Sequence, residues 1–395
     1  MNLLMVSPFF PSPSSGARTR VYHLLKALAR KYSVSLVVLT ADAHEAEDSV
    51  PEEMKLKRFL KVPWPTFPPK RVQQALGIIR GRSGLLDSYR VKTVQQVLDD
   101  LVARDHYGVA LFESAFMAGY RLPQDTRVII DEHNIEYELL YRTYQRENSL
   151  VRKWYNWWES RQIKPVELER CGNAQGVLVT SEREAVLLKA LLPDSMIAVV
   201  PNGVDTEAFQ WASQEQLPDR IIFTGAMSYC PNVNAVLYFA KECWPLIRSK
   251  IPTATWQIVG RDPPPVVQAL AKLPGVSVTG PVPDVKPYLA GATVAIAPLL
   301  IGSGTRLKIL EAFAMGKAVV STSLGCEGLA VVSGQHLIVA DEPEVFARSV
   351  VDLMQNAEQR MALGIAGRAL AETYSWQRCG DDVINAVEKI RAAGL

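Results

Sequence analysis

The feature that most constrains this chain is an alternation that runs through twice. Short apolar runs without polar alternation, the kind that fill a parallel strand covered on both faces, are each followed by a longer stretch with helical periodicity. Leu3–Val6, Val34–Leu39, Val109–Phe112, Val128–Asp131, Val177–Thr180 and Ile197–Val200 form a first set of strand candidates. Ile221–Thr224, Thr255–Val259, Val276–Thr279, Val294–Ala297, Ala318–Ser321 and Leu337–Val339 form a second. Helices are expected at Arg18–Arg30, where Val21, Leu24, Leu25 and Leu28 share a face, and at Gln74–Arg80, Val91–Ala103, Ala235–Arg248, Val266–Lys272 and Leu307–Met315. Two runs of this kind predict an α/β chain with two Rossmann-like, doubly wound domains facing a cleft.

At 395 residues the chain is long for a single core, which agrees with two domains. The polar, irregular stretch DTEAFQWASQEQLPD separates the two sets. We therefore expect a first domain over 1–204, a linker over 205–219 and a second domain over 220–380. A C-terminal helix over 381–395 is free to pack back on the first domain.

The charge is nearly balanced, 43 Lys+Arg against 41 Asp+Glu, which argues against non-specific nucleic-acid binding. The five cysteines, Cys171, Cys230, Cys243, Cys326 and Cys379, form no Cys-x-x-Cys pair and read as reduced thiols. The five histidines are scattered and show no zinc spacing. The opening MNLLMVSPFFPSPSS lacks a basic leader region, and no apolar run approaches the length of a membrane span. These observations point to a cytoplasmic chain whose membrane contact, if any, is peripheral.

The richest segment is APLLIGSGTRLKILEAFAMGKAVVST, Ala297–Thr322. A strand ends at Pro298 and the Gly302-Ser303-Gly304 turn, and a helix is expected to start around Ser303–Arg306 and to be capped by Gly316. A helix start exposes unpaired N–H groups with partial positive charge, and glycines let a phosphate approach them closely. Arg306 adds a forked cation and Lys308 a point charge. At about 100° per residue, Thr305, Lys308 and Glu311 share one face. A carboxylate there can accept hydrogen bonds from a ribose diol while the helix start holds a diphosphate. The same residues also fit a capped helix that carries only a surface Lys308–Glu311 ion pair.

This segment is similar to the C-terminal signature of glycosyltransferase family 4, a retaining, nucleotide-sugar-dependent family with the GT-B fold of two facing Rossmann-like domains. VVPNGVD (Val199–Asp205), FTGAMSYCPNVNAV (Phe223–Val236), WQIVGRD (Trp256–Asp262), VSVTGPVPDVKPYLAGATVAIAPL (Val276–Leu299) and STSLGCEGL (Ser321–Leu329) extend the likeness. It covers nearly the whole chain and is weakest across Ala41–Arg104. The resemblance implies that Glu311 is the second glutamate of the family's paired-glutamate motif and holds the donor ribose. The first glutamate would fall at Ser303, where it is absent. The family's usual Arg and Lys after the first strand of the second domain are also missing, since Gly225 is followed by Ala226 and Met227. Arg306 and Lys308 are then left to supply the phosphate cations. Gly225, Arg261, Gly302, Ser303, Gly304 and Thr305 are further nucleotide-sugar contacts under the same resemblance, with Val282 beside the nucleobase.

In the first half, Ser15-Gly16 stands where the family often has paired glycines, so the Gly16 backbone can approach a donor phosphate or sugar. Arg18 and Arg20, in the first helical turns, are candidates to face the cleft. The resemblance carries over His133, in the sequence Asp131-Glu132-His133-Asn134, as a functional histidine, with Asn134 and Glu136 beside Arg18 on the acceptor side. From the residues alone, a single histidine at a strand end is more often structural. Tyr137–Arg170 mixes Tyr141, Tyr144, Trp154, Tyr155, Trp157 and Trp158 with basic residues. Those aromatics fit a buried helix pair or, alternatively, an anionic membrane surface.

No Asp-x-Asp pair is present, so no obligatory metal or other cofactor is expected. The predicted activity is transfer of a hexose from a UDP- or GDP-sugar to a hydroxyl of a glycan, lipid-linked or small-molecule acceptor, with retained anomeric configuration, in cell-envelope or exopolysaccharide synthesis. Rival readings are a sugar-nucleotide epimerase on the same fold and a weakly catalytic sugar-nucleotide-binding scaffold. A phosphorylase-like enzyme would need a pyridoxal phosphate lysine. An NAD-dependent dehydrogenase is disfavoured because the first βα turn, SPFFPSPSSGARTR, lacks Gly-x-Gly-x-x-Gly.

Overall fold

The computed structural model describes residues 1–13, 16–40, 50–147, 149–211, 217–302, 304 and 306–393. Ser303 and Thr305, two of the expected nucleotide-sugar contacts, lie outside the described residues. The chain divides into two compact units, Met1–Pro201 with Cys379–Leu395, and Asn202–Arg378.

The first unit holds β1 (Asn2–Ser7), β2 (Ser33–Thr40), β3 (Arg58–Pro63), β4 (Val109–Glu113), β5 (Arg127–Glu132), β6 (Gly176–Val179) and β7 (Ile197–Val199). They form one sheet in the order β3-β2-β1-β4-β5-β6-β7, every pair parallel. Leu3, Leu4, Val6, Val109, Leu111 and Phe112 are fully buried, because helices cover both faces of the central strands. β3 escaped the sequence reading. It is an edge strand, largely half-buried, and Arg58 and Lys61 interrupt its apolar pattern.

The second unit holds β8 (Arg220–Thr224), β9 (Thr255–Val259), β10 (Val276–Val278), β11 (Val294–Ala297), β12 (Ala318–Ser321) and β13 (Ile338–Val339). Their order is β10-β9-β8-β11-β12-β13, again all parallel. The two sheets are thus doubly wound, with topological switch points between β1 and β4 and between β8 and β11. Ligands of such sheets bind beyond the carboxyl ends of the strands at those points.

Several helices differ from expectation for identifiable reasons. The expected Ala235–Arg248 helix is three pieces, Cys230–Tyr238, a π-helical Phe239–Cys243 and Trp244–Lys250. Pro245 has no N–H to give and its ring crowds the preceding turn, which favours a wider turn there. Tyr137–Arg170 is two helices, Glu136–Arg146 and Leu150–Asn173. Their aromatics divide: Trp158 packs with Trp154 and Tyr155 at centroid distances of 6.4 and 6.1 Å, yet Trp154 and Tyr141 remain 48% and 44% exposed.

The described part of the expected 205–219 linker belongs to the second unit. Arg368 fastens it by donating to the Phe209 and Thr206 carbonyls, and Trp211 packs over Gly316. The last helix, Trp376–Ala392, contributes Val383, Ala386, Val387 and Ile390 to the first unit's core beside Leu3, Met5 and Leu24.

Candidate functional site

In the second unit the loops after β8 and β11 flank the switch point. The β8 and β9 loops touch through bare backbone: a Cβ on Gly260 would lie 1.8 Å from the Gly225 carbonyl oxygen. A Cβ on Gly225 would meet Asn232 Nδ2 at 2.7 Å and Lys308 Nζ at 3.0 Å. The Lys308 ammonium donates to Asn232 Oδ1 at 2.7 Å and lies 3.8 Å from the Phe223 ring centroid. Asn232 is itself held by its amide, which donates to the Ala226 carbonyl at 2.8 Å.

The partners of Lys308 are therefore an amide and a π-face, both neutral. Burial depresses the Lys308 pKa well below its ordinary value, Arg306 lowers it further, and Glu311 one turn on opposes both. Burial pushes the Glu311 carboxyl up to about 7. This is not a solvated surface ion pair. An ammonium held at a switch point by an amide and a ring face is suited to receive an anion.

The helix that carries these two residues runs Leu307–Ala314 and ends as expected at Gly316, φ 66°, where Gly316 N–H reaches Phe313 and Lys317 N–H reaches Ala312. It begins later than the expected Ser303–Arg306, because Arg306 occupies the N-cap with non-helical dihedrals. The Arg306 side chain is only 7% exposed and doubles back on its own loop, Nη1 donating to the Gly304 carbonyl at 3.0 Å, with Nη2 against Gly302. Gly302 and Gly304, φ 134° and 74°, make room for that fold-back. Arg261 is half exposed, near Asp262, and its carbonyl accepts from the Met227 N–H. Val282 packs against the core that contains Ile309, Leu310 and Phe313.

In the first unit, Glu113 ends β4 and His133 follows β5. His133 Nε2 lies 2.6 Å from Glu113 Oε2 and 3.5 Å from Asp131 Oδ2. Arg20 grips Asp131 with two hydrogen bonds, Nε–Oδ2 at 2.7 Å and Nη2–Oδ1 at 2.6 Å, and also donates to the Val200 carbonyl. Glu113 and Asp131 are fully buried, whereas the His133 side chain keeps 11% of its surface. Burial alone would lower the His133 pKa, but hydrogen bonds to Asp131 and Glu113 outweigh it and raise it to about 9. Burial and Asp131 raise Glu113, and Arg20 holds Asp131 low against its burial. At neutral pH the imidazole is a cation beside the Asp131 carboxylate, with the Glu113 carboxyl raised to about 7.

Glu113, Asp131 and His133 offer ligand atoms all within 4.8 Å of one another. A cation there would face the Arg20 guanidinium, which already holds both Asp131 oxygens. The cluster fits a hydrogen-bond network better than a metal site.

Asn134 hydrogen-bonds the Glu136 carboxylate, whose pKa burial raises to about 7 against the opposing charge of His133. The Glu136 and Tyr137 N–H groups, which open their helix, are capped by the Glu167 carboxylate at 2.8 and 3.0 Å. Gly16, φ 46°, opens the first helix with nothing within 4 Å of a would-be Cβ. Arg18 is half-buried, and its carbonyl accepts from Ser12 N–H. Arg20, considered a candidate to face a ligand, is instead 1% exposed and belongs to the Asp131 network. Glu113 and Asn232 were not recognised from sequence; an acid closing a fully apolar strand, as in VALFE, was the available signal for the first.

Two parallel doubly wound sheets with polar clusters just beyond their carboxyl strand ends are the architecture of the GT-B glycosyltransferases. The glycosyltransferase family 4 model matches residues 14–208 and the glycosyl transferases group 1 model residues 218–356, and the chain belongs to these glycosyltransferases. An uncharacterised protein of the cps region of Klebsiella pneumoniae is 22% identical over 374 residues, 90% of this chain and 91% of that one. Among solved structures, sucrose-phosphate synthase from Thermosynechococcus elongatus superposes with a TM-score of 0.75 at 15% identity, covering 100% of both chains. WaaG, a glycosyltransferase involved in lipopolysaccharide biosynthesis, gives 0.68 at 14% identity over 97% of this chain and 98% of its own. Anabaena HepE in complex with UDP gives 0.69 at 12% identity over 98% and 100%. At such identities the structures speak for the fold. No helix among the described residues is long and apolar enough to cross a membrane.

Proposed function

We propose that this glycosyltransferase moves a hexose from a nucleoside-diphosphate sugar to a hydroxyl of a glycan or lipid-linked acceptor, with retained anomeric configuration. The observation that carries the donor half is Lys308, held beside Gly225 by the neutral Asn232 amide and over the Phe223 ring. In this reading its ammonium takes the donor's diphosphate, and Glu311, on the same helix face, takes the ribose diol. Arg306 shapes the loop that presents the helix start. Gly16, Gly225, Arg261, Val282, Gly302, Ser303, Gly304 and Thr305 remain the proposed surroundings of the nucleotide sugar. The UDP bound to HepE supports a nucleotide of this kind.

As the glycosidic bond to phosphate breaks, the anomeric carbon becomes oxocarbenium-like and charge grows on the leaving diphosphate. A preorganised cation stabilises that charge more in the transition state than before it. Attack from the face that phosphate leaves gives retention, with a departing phosphate oxygen taking the acceptor's proton. His133, charged at neutral pH, serves as a hydrogen-bond donor to a sugar oxygen rather than as a base, with Arg18, Asn134 and Glu136 on the acceptor side. Polysaccharide assembly at the cell envelope is supported by the cps-region relative and by the likeness to WaaG.

The test is an NMR assay of purified protein with UDP- and GDP-hexoses, with and without a glycan acceptor, in EDTA. The expected result is acceptor-dependent transfer from one α-linked donor to an α-linked product. An altered free sugar without acceptor would favour an epimerase, a β-linked product would overturn retention, and loss of transfer restored by Mg²⁺ would overturn the metal-free mechanism.

A further inference from the structure

The first unit carries a pocket of about 350 Å³ that the network around His133 does not use. It lies between the Tyr89–Val91 loop, the start of the Lys92–Arg104 helix, the turn after β4 and the Leu150–Asn173 helix. Among the described residues its lining includes three cations, Arg90, Lys92 and Arg170, and no carboxylate.

Arg170 is built in. Its Nη1 donates to the Ala115 and Phe116 carbonyls at 2.8 and 2.9 Å, and its Nη2 passes so close to Gly119 that a Cβ there would lie 2.5 Å away. Arg90 and Lys92 make no side-chain hydrogen bond or ion pair with a described residue. Burial, and then Arg90, push the Arg170 pKa down, against Glu169 and Glu132, which raise it. Three cations lining one pocket with no carboxylate among the described residues of its wall are stabilised when an anion joins them.

The remaining wall is aromatic and firmly placed. Phe116 packs on Tyr89 at 5.3 Å between centroids, and Tyr120 donates to the Tyr89 carbonyl at 2.6 Å. Packed rings beside the fixed Arg170 and the exposed Arg90 and Lys92, in a volume at the small end of the ligand-pocket range, suit a sugar ring that carries a negative charge. The Ala115 carbonyl that Arg170 binds lies two residues after Glu113, whose carboxylate is 2.6 Å from His133 Nε2, so the pocket adjoins that network.

We propose that this pocket binds an anionic hexose of the acceptor, a sugar bearing a carboxylate or a phosphate. The acceptor assignment rests on the glycosyltransferase reading; the pocket's preference for an acidic sugar does not.

The test is calorimetric titration of the full-length protein with D-glucuronate, glucose 6-phosphate and neutral glucose, with UDP titrated in parallel. At least one acidic sugar is expected to bind, the stronger of the two naming the anion, while glucose does not. The Arg90→Ala/Lys92→Ala variant, which leaves the backbone-bound Arg170 intact, is expected to weaken that binding roughly tenfold or more and to leave UDP binding unchanged. The proposal is overturned if neither acid binds, if glucose binds equally well, or if the double variant binds the acid as tightly as the wild type. Acid binding without UDP binding would support the pocket and count against the donor site instead.

Discussion

Lys308 and Asn232 are 76 positions apart in sequence, and the ammonium of one lies 2.7 Å from the amide oxygen of the other. A buried lysine with a neutral partner has a depressed pKa, and a phosphate placed beside it restores the charge. UDP binding should therefore be accompanied by proton uptake. Calorimetry in two buffers of different ionisation enthalpy measures this directly. The uptake should vanish in Lys308→Met, and an uptake unchanged in that variant would remove Lys308 from the phosphate site.

Arg20 and Asp131 form a fully buried pair. Removing one partner leaves the other charged in a place it cannot be hydrated. Arg20→Met is expected to cost about 3–5 kcal/mol in urea unfolding, and Arg20→Met/Asp131→Leu less than the sum of its single variants. A single-variant loss near zero would show that the pair contributes nothing to the fold.

His133 is held charged by its carboxylates, with its pKa raised from 6.5 to about 9. A raised pKa means that its stabilisation is complete below pH 6.5 and is lost as pH rises through 9. The stability difference between wild type and His133→Gln should shrink across that window. Transfer by the variant should fall roughly 100-fold with UDP affinity retained, as for loss of one preorganised donor. A difference that grew with pH would mean that the imidazole is neutral in the fold.

The start of the Leu150–Asn173 helix exposes Leu150 by 82%, Val151 by 78% and Trp154 by 48%, with Arg152 and Lys153 among them. An apolar edge with cations beside it matches an anionic bilayer surface. Co-sedimentation with vesicles containing phosphatidylglycerol should be seen for the wild type and largely lost in Leu150→Asp/Val151→Asp. Equal binding by both proteins would clear this edge of any membrane role.

Much of the fold was legible because parallel strands such as Leu3–Val6 and Val294–Ala297 are buried on both faces and so read as unbroken apolar runs. β3 was not, since an edge strand tolerates Arg58 and Lys61 on its open side. The candidate site was legible in its helix-borne pieces: Lys308 and Glu311 share a face at helical spacing. The partners were hidden, because Asn232, which holds Lys308, comes from a different helix, and Glu113, which holds His133, from a different strand, each joined only by tertiary packing. Arg306 illustrates the converse. A cation at a helix start invites assignment to a ligand, and the sequence did not show that its side chain also turns back onto Gly302 and Gly304.

If the second unit holds a nucleoside diphosphate at Lys308, a thermal-shift titration with UDP-, GDP- and ADP-sugars will show it. At about 100 times its Kd, the right donor should stabilise the wild type by about 2.7 kcal/mol, a clear rise in Tm. The rise should be absent in Lys308→Met at the same concentration. No rise with any donor, or an equal rise in the variant, would contradict the account.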